Sequence, residues 1–436
     1  MRTSLLVGTV ALGVATAMAT PALTAAAGGG PPSPAAAVGT ARLSNVGSVA
    51  PAADVLFNDP TGDEAAQDRI ADHVRQAIEA TPEHGAIRMA AYSFDRPDIA
   101  VALRRACTER QVTVQLVLND NYVSAPVRRL RRLLGGDAAS SSGACHARGE
   151  SRGSSTEPSF VKVCHASCRL GDRGNQHMKV YLFSGGAGAE TVVMLGSANL
   201  TEYAAGVHWN DLVTLTGDRP LHDDYSRVFA ELAADRLSPV PAVDLAHGDV
   251  TTSVPPGRPA TADDDTVAQR LARVGCRALA GSGVGGRTVV RISMYGWRGA
   301  RGTDLARRVA ALHRDGCRVQ ALVSAAGPDV VSTLVAAGVR VRSASLDVDG
   351  DVATGFEDSG WEHFLHEKWM SVDGTWGGSA TRAVWTGSEN WSDVSLLNDE
   401  LVVMIPRHDI HDAYADHFDD VWDEHSRPIA PAPGLV

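Results

Sequence analysis

His177-Met178-Lys179-Val180-Tyr181-Leu182-Phe183 and His366-Glu367-Lys368-Trp369-Met370-Ser371-Val372-Asp373 repeat one pattern. Each sets His-x-Lys at the head of an apolar, strand-favouring run. Each is followed by a second such run that ends in Gly-Ser-x-Asn, as Gly196-Ser197-Ala198-Asn199 and Gly387-Ser388-Glu389-Asn390. Side chains two apart on a strand share a face. His177 therefore shares a face with Lys179, His366 with Lys368, Ser197 with Asn199, and Ser388 with Asn390. Each half offers an imidazole, an ammonium, a hydroxyl and an amide toward one side. Two such halves would surround one anion with charge, a nucleophile and a proton donor. Cleavage of a phosphodiester requires those groups.

The lead-in to each motif is also repeated. Ile87 to Leu118 and Val290 to Val323 each read as strand, loop, amphipathic helix and strand, with Tyr92 and Tyr295 at matching points. Helical patterns over Asp63 to Ala80, Ile99 to Glu109 and Asp304 to Arg314 alternate with strands. That alternation predicts an α/β fold with mostly parallel or mixed sheets.

The double motif resembles that of the phospholipase D superfamily, His-x-Lys-x-x-x-x-Asp written twice. The second copy matches through Asp373. The first departs at its last position, where Ser184 stands in place of the acid. The resemblance implies two similar α/β/α sandwich halves with mixed sheets, related by a pseudo-two-fold axis, with one active site at their junction. It implies catalysis by His177, Lys179, His366 and Lys368 through a phosphohistidine, with no cofactor. Lys179, Lys368, Asn199 and Asn390 are expected on the non-bridging oxygens, supported by Ser197 and Ser388. The family also sets an acid against a catalytic histidine. Aligning Asn210-Asp211-Leu212-Val213 with Asn398-Asp399-Glu400-Leu401-Val402 on Leu-Val makes Asp211 and Glu400 the counterparts. If Asp373 lies near His366, that histidine is the better general acid and His177 the better nucleophile.

Composition bounds the rest. The chain has 436 residues, is 44% hydrophobic and carries a net charge of -11. That charge speaks against an extended nucleic-acid groove. Arg2, the apolar run Leu5 to Met18 and the small residues through Ala27 read as an export signal. The organisation expected is a signal over 1–27, a flexible leader over 28–52, a first half over 53–237, a Pro-rich linker over 238–265, a second half over 266–426 and a tail over 427–436. Six cysteines suit an oxidising compartment. Cys276 and Cys317, alone in the second half, are expected to pair. Cys107, Cys145, Cys164 and Cys168 would form two bridges that pin the loop from Gly135 to Ser155. A metal reading of the same region uses Cys164, His165, Cys168 and His146.

Arg128, Arg129, Arg131 and Arg132 form a basic helical run with two readings, a solvated face or a surface for anionic lipid or nucleic acid. Trp361, Trp369, Trp376, Trp385 and Trp391 cluster around the second motif, as core or as an acyl-chain entrance. Gly281 to Gly286 precedes a strand and reads as a turn, and no Ser-His-Asp order or His-Glu-x-x-His helix is present. The expected function is secreted hydrolysis, or transphosphatidylation, of phospholipids by a monomer in transient contact with a membrane surface. A nuclease of the same superfamily and a non-catalytic phosphate- or lipid-binding protein are the alternatives.

Overall fold

Seven strands of the first half recur, in the same order, in the second. The computed structural model describes residues 54–145, 157–171, 173–184, 191–239, 242–255, 257, 259–347 and 362–429. The expected signal and leader, most of the loop after Cys145, Trp361 and the end of the tail lie outside the described residues. The strands of the first half are β1 (Asp54–Phe57), β2 (Ala86–Ala91), β3 (Thr113–Asn119), β4 (Phe160–Cys164), β5 (Val180–Ser184), β6 (Val192–Gly196) and β7 (Asp211–Thr216). Those of the second are β8 (Val250–Val254), β9 (Val289–Arg298), β10 (Arg318–Ala326), β11 (Arg340–Ser343), β12 (Lys368–Trp376), β13 (Ser379–Gly387) and β14 (Val402–Ile405).

The first sheet runs β1-β7-β6-β5-β2-β3-β4, and the second contains β8-β14-β13-β12-β9-β10-β11. Within each, three strands are parallel: β2, β3 and β4 in one, β9, β10 and β11 in the other. The motif strands β5 and β12 run antiparallel to them. This is the mixed α/β duplication that the motifs foretell.

Helices form where apolar residues recur every three or four positions. In Glu64–Ala80, Ile70, Val74 and Ile78 are buried, and Asp63 caps the start by accepting from the Ala66 amide. Three helices, Glu64–Ala80, Pro97–Arg110 and Ala125–Leu134, share an outer core with the first sheet. A second core joins the halves. Leu182, Val193 and Val213 of the first sheet belong to it with Trp369, Val384 and Val403 of the second, and with Tyr225, Phe229, Tyr414 and Phe418 from two long helices.

Two expectations are corrected here. The stretch expected as linker carries a hairpin, Val243–His247 against β8, and β8 pairs with β14, so it extends the second sheet. Its β-branched residues, Val243, Val250, Thr251, Thr252 and Val254, outweigh the prolines that flank it. The Gly135 to Ser155 loop is pinned by one bridge, Cys107–Cys145, while Cys164–Cys168 closes a five-residue turn of its own. Cys276 bonds Cys317 as expected. With Cys164 and Cys168 oxidised to each other, the metal reading loses its thiolates.

Candidate active site

The halves are stitched together at the motif heads. His208–Trp209 pairs in parallel with His363–Leu365, and the His366 amide donates to Trp209 O. On the other side the His177 amide donates to Asp399 O. Each histidine is thus held by backbone from the opposite half, and each takes its side-chain partner from there as well.

His177 Nδ1 lies 3.0 Å from both carboxylate oxygens of Glu400. His366 Nδ1 lies 3.0 Å from Asn210 Oδ1. The Asn210 amide nitrogen donates to Ala204 O and His208 O, which turns its oxygen toward the ring. Nδ1 of His366 is therefore the protonated nitrogen. With both Nδ1 atoms engaged, Nε2 is the nitrogen each ring has left for substrate.

Asp211, the expected partner, touches neither histidine. Its carboxylate accepts from Thr386 and from Tyr414 at 2.6 Å. The alignment on Leu-Val is one residue out of register. Ser197 donates to Asn210 Oδ1 and accepts from the Asp211 amide; Ser388 donates to Glu400 and accepts from the Leu401 amide. Asn210 is therefore the counterpart of Glu400, and Asp211 of Leu401. The motif glycines agree, since a Cβ at Gly196 would overlap Asp211 O and one at Gly387 would overlap Leu401 O. The same bonds correct the expectation for Ser197 and Ser388. Both are fully buried and orient the partners of the histidines; neither lines the cavity.

The condition set on Asp373 is not met. It accepts from the Gly283 amide and from Arg382. Five residues of strand separate it from Lys368, roughly 16 Å. Asp373 holds the glycine-rich turn and gives His366 no charge. Ser184, at the matching end of β5, is equally remote from the histidines.

A cavity of about 530 Å³ opens at the junction, lined by His177, His366, Asn199 and Asn390 among others. Tyr92 meets His177 edge-on at 4.9 Å, and Tyr295 tilts against His366 at the same separation. Lys179 and Lys368 are buried beneath this wall. Each donates to the carbonyl of its own motif histidine and lies over the ring of Tyr92 or Tyr295. Both lie behind the cavity wall rather than in its lining.

Burial sets the protonation states. Desolvation pushes Lys179 down to about 7 against the pull of Glu400. Lys368 is driven well below its ordinary value, by burial and then by the neighbouring Lys179. His177 falls below its ordinary value through desolvation, opposed by Glu400. His366 falls well below, through desolvation and then Lys368, with no carboxylate to oppose it. Glu400 is held below the usual carboxylate range by His177 and Lys179 despite its burial. A bound phosphodiester anion would return protons to this cluster.

The four described tryptophans of the cluster pack into the cores. Trp369, Trp385 and Trp391 are buried, Trp376 packs on Trp385 and Arg273, and none lines the cavity. The arginines of Ala125–Leu134 are exposed.

A family model described as cardiolipin synthase, PLD-like domain, matches residues 74–233 and 286–422. The fold is similar to polyphosphate kinase from Porphyromonas gingivalis, with a TM-score of 0.53, 13% identity, and coverage of 87% of this chain and 48% of that one. The chain thus spans about half of that kinase. Phosphatidylserine synthase from Haemophilus influenzae Rd KW20 superposes with a TM-score of 0.49 at 12% identity, covering 86% and 87% of the two chains. Nuc from Salmonella typhimurium, a phospholipase D family member, does so at 0.28 and 15%, covering 42% and 99%. No curated protein matches the chain in sequence. One family model spans two segments of the chain, and the two halves in which those segments lie bring a histidine each to a shared cavity; the chain belongs to the phospholipase D-like family.

Proposed function

We propose that this protein is an exported phosphodiesterase that cleaves phospholipids, transferring the phosphatidyl group to water or to another alcohol through a phosphohistidine. The observation that carries this reading is the crossed pair of histidines: two imidazoles from two halves, each anchored at Nδ1 by the other half, in one cavity above two buried lysines.

In the first step His177 Nε2 attacks phosphorus. The phosphorylated ring becomes cationic, and Glu400 stands against that charge. The departing alcohol takes its proton from His366. In the second step His366 removes a proton from water or an alcohol, which displaces His177. Asn199 and Asn390 bind the non-bridging oxygens, and Lys179 and Lys368 offset their charge from below. The expectation that Asp373 would make His366 the acid is replaced by a different asymmetry, Glu400 on one side and Asn210 on the other. It favours the same nucleophile, because the charge that forms on attack needs the carboxylate. Ser184 lies away from the site, so the reading as a non-catalytic binder loses its support.

The lipid assignment rests on the cavity mouth and the overall charge. Tyr122 and Val394, 47% and 51% exposed, both line this cavity, and the net charge of -11 disfavours long polyanions. The four exposed arginines after Tyr122 favour a second reading, a nuclease. The N-terminal signal pattern and three disulfides support export. No described helix is long and apolar enough to cross a membrane. One chain completes the cavity from both halves, which supports a monomer.

The test is release of headgroup from phosphatidylcholine and phosphatidylglycerol vesicles, beside nicking of plasmid DNA, for the wild type and His366→Ala. Lipid turnover that is lost in the variant supports the reading. DNA cleavage without lipid turnover would replace it with the nuclease.

A further inference from the structure

The two copies act as controls for each other. In one, Asn398-Asp399-Glu400 serves His177; in the other, His208-Trp209-Asn210 holds the same positions and serves His366. Asn398 commits its amide to Glu400 at 2.9 Å. Its counterpart His208 has no such commitment. The ring is 5% exposed, and neither nitrogen has a hydrogen-bond partner. It stacks on His366 with centroids 4.6 Å apart and planes 19° from parallel. Tyr203 and Phe364 pack against it from other sides, at 4.9 and 4.3 Å. It also lines the cavity that holds both catalytic histidines.

Burial drives His208 well below its ordinary value, and the Lys368 ammonium pushes the same way. The ring is neutral and carries one N–H. A buried donor left unpaired costs about 1–3 kcal/mol. A phenyl ring would fill the same stack without that cost. A polar ring kept unsatisfied beside a reacting histidine, on the wall of the reacting cavity, is placed to meet substrate.

We infer that His208 is a third imidazole of the reacting site, donating its N–H to the oxygen of the departing alcohol on the His366 side. The inference rests on the phosphodiesterase reading above. It answers a deficit in the structure: Asn210 carries no charge, so His366 lacks the carboxylate that supports His177. As the bond from His177 Nε2 to phosphorus forms, the phosphorus–oxygen bond breaks and its electron pair stays on oxygen. His366, which gains a second proton on Nε2 when the anionic diester binds, gives that proton to the oxygen, while His208 keeps its own proton and shares the developing charge through a hydrogen bond. Need for this donor grows with the basicity of the leaving oxygen. An alkoxide needs it; a nitrophenolate does not.

His208→Phe keeps the stack and removes both nitrogens. Its turnover is measured on dihexanoylphosphatidylglycerol, whose leaving group is an alcohol, and on bis(para-nitrophenyl) phosphate, whose leaving group departs without a proton. The expected result is a loss of about 100-fold on the lipid, within the range for a positioned acid–base group, and less than about fivefold on the nitrophenyl ester. Wild-type turnover on both substrates would overturn the inference. So would an equal loss on both, in this variant and in His208→Asn, which would assign the ring to packing. Activity retained in His177→Ala and His366→Ala would instead bring down the underlying reading, and this inference with it.

Discussion

Glu400→Gln changes one charge and almost no volume, at the point where the halves exchange support. Both carboxylate oxygens lie 3.0 Å from His177 Nδ1, and the group also receives Ser388 at 2.5 Å and Asn398 at 2.9 Å. A glutamine keeps the volume and can still accept from the ring and from Asn398 through its oxygen, provided the Ser388 hydroxyl turns from donor to acceptor at the new amide nitrogen. Two unit charges about 4 Å apart at an effective dielectric near 20 interact by about 4 kcal/mol. The charge on a phosphorylated imidazole is spread over the ring, and Lys179 shares the carboxylate. A differential effect of about 2–3 kcal/mol is left, which is about 30- to 150-fold in kcat/KM. The effect falls mainly on kcat, because the ring charge exists only after attack. The pH profile supplies an independent readout. Glu400 raises His177 against the dominant desolvation. Without it the imidazole loses its proton at a still lower pH, and the neutral ring is the attacking form. The acid limb of the rate profile therefore moves to lower pH. The assay is turnover of a soluble short-chain phospholipid across pH, with thermal unfolding followed in parallel to show that the variant is folded. Turnover within threefold of wild type, or an acid limb that moves upward, would refute the role given to Glu400.

Three further outcomes are expected. Mixing purified His177→Ala and His366→Ala should not restore turnover, since one chain carries both halves of the site; recovery in the mixture would show exchange between chains. Exhaustive chelation should leave turnover of a soluble short-chain substrate unchanged, because buried lysines supply the charge; loss that only a divalent ion reverses would overturn that. Acid quenching during turnover, followed by peptide mass analysis under conditions that preserve phosphohistidine, should find the adduct on His177. An adduct on His366 alone would reverse the assignment of nucleophile.

The repeat, the α/β class and the convergence of two His-x-Lys pairs were legible because they are local. A strand alternates its faces, so His-x-Lys declares its own geometry. Cys276 and Cys317 were legible because each was the other's only candidate in that half. The glycines of Gly-Ser-x-Asn were visible as a motif, though their reason, a close approach to a neighbouring carbonyl, is tertiary.

The register of the supporting residues was not legible. Leu401-Val402-Val403 is an uninterrupted apolar run, and such a run aligns with Leu212-Val213 equally well one residue either way. Hydrogen bonds from Ser197 and Ser388 decide it, and they exchange Asp211 for Asn210. Asp373, seven residues after its histidine in the motif, is carried away along the strand to a turn. Nothing in the sequence marks His208, because its partner, His366, is distant in the chain and is brought next to it only by the pairing of His208–Trp209 with His363–Leu365. What the sequence determined by itself is the chemistry each half can offer, since covalent spacing along a strand sets which groups point together. Which group tunes which histidine was decided only by the tertiary structure, because each ring takes its partner from the opposite half.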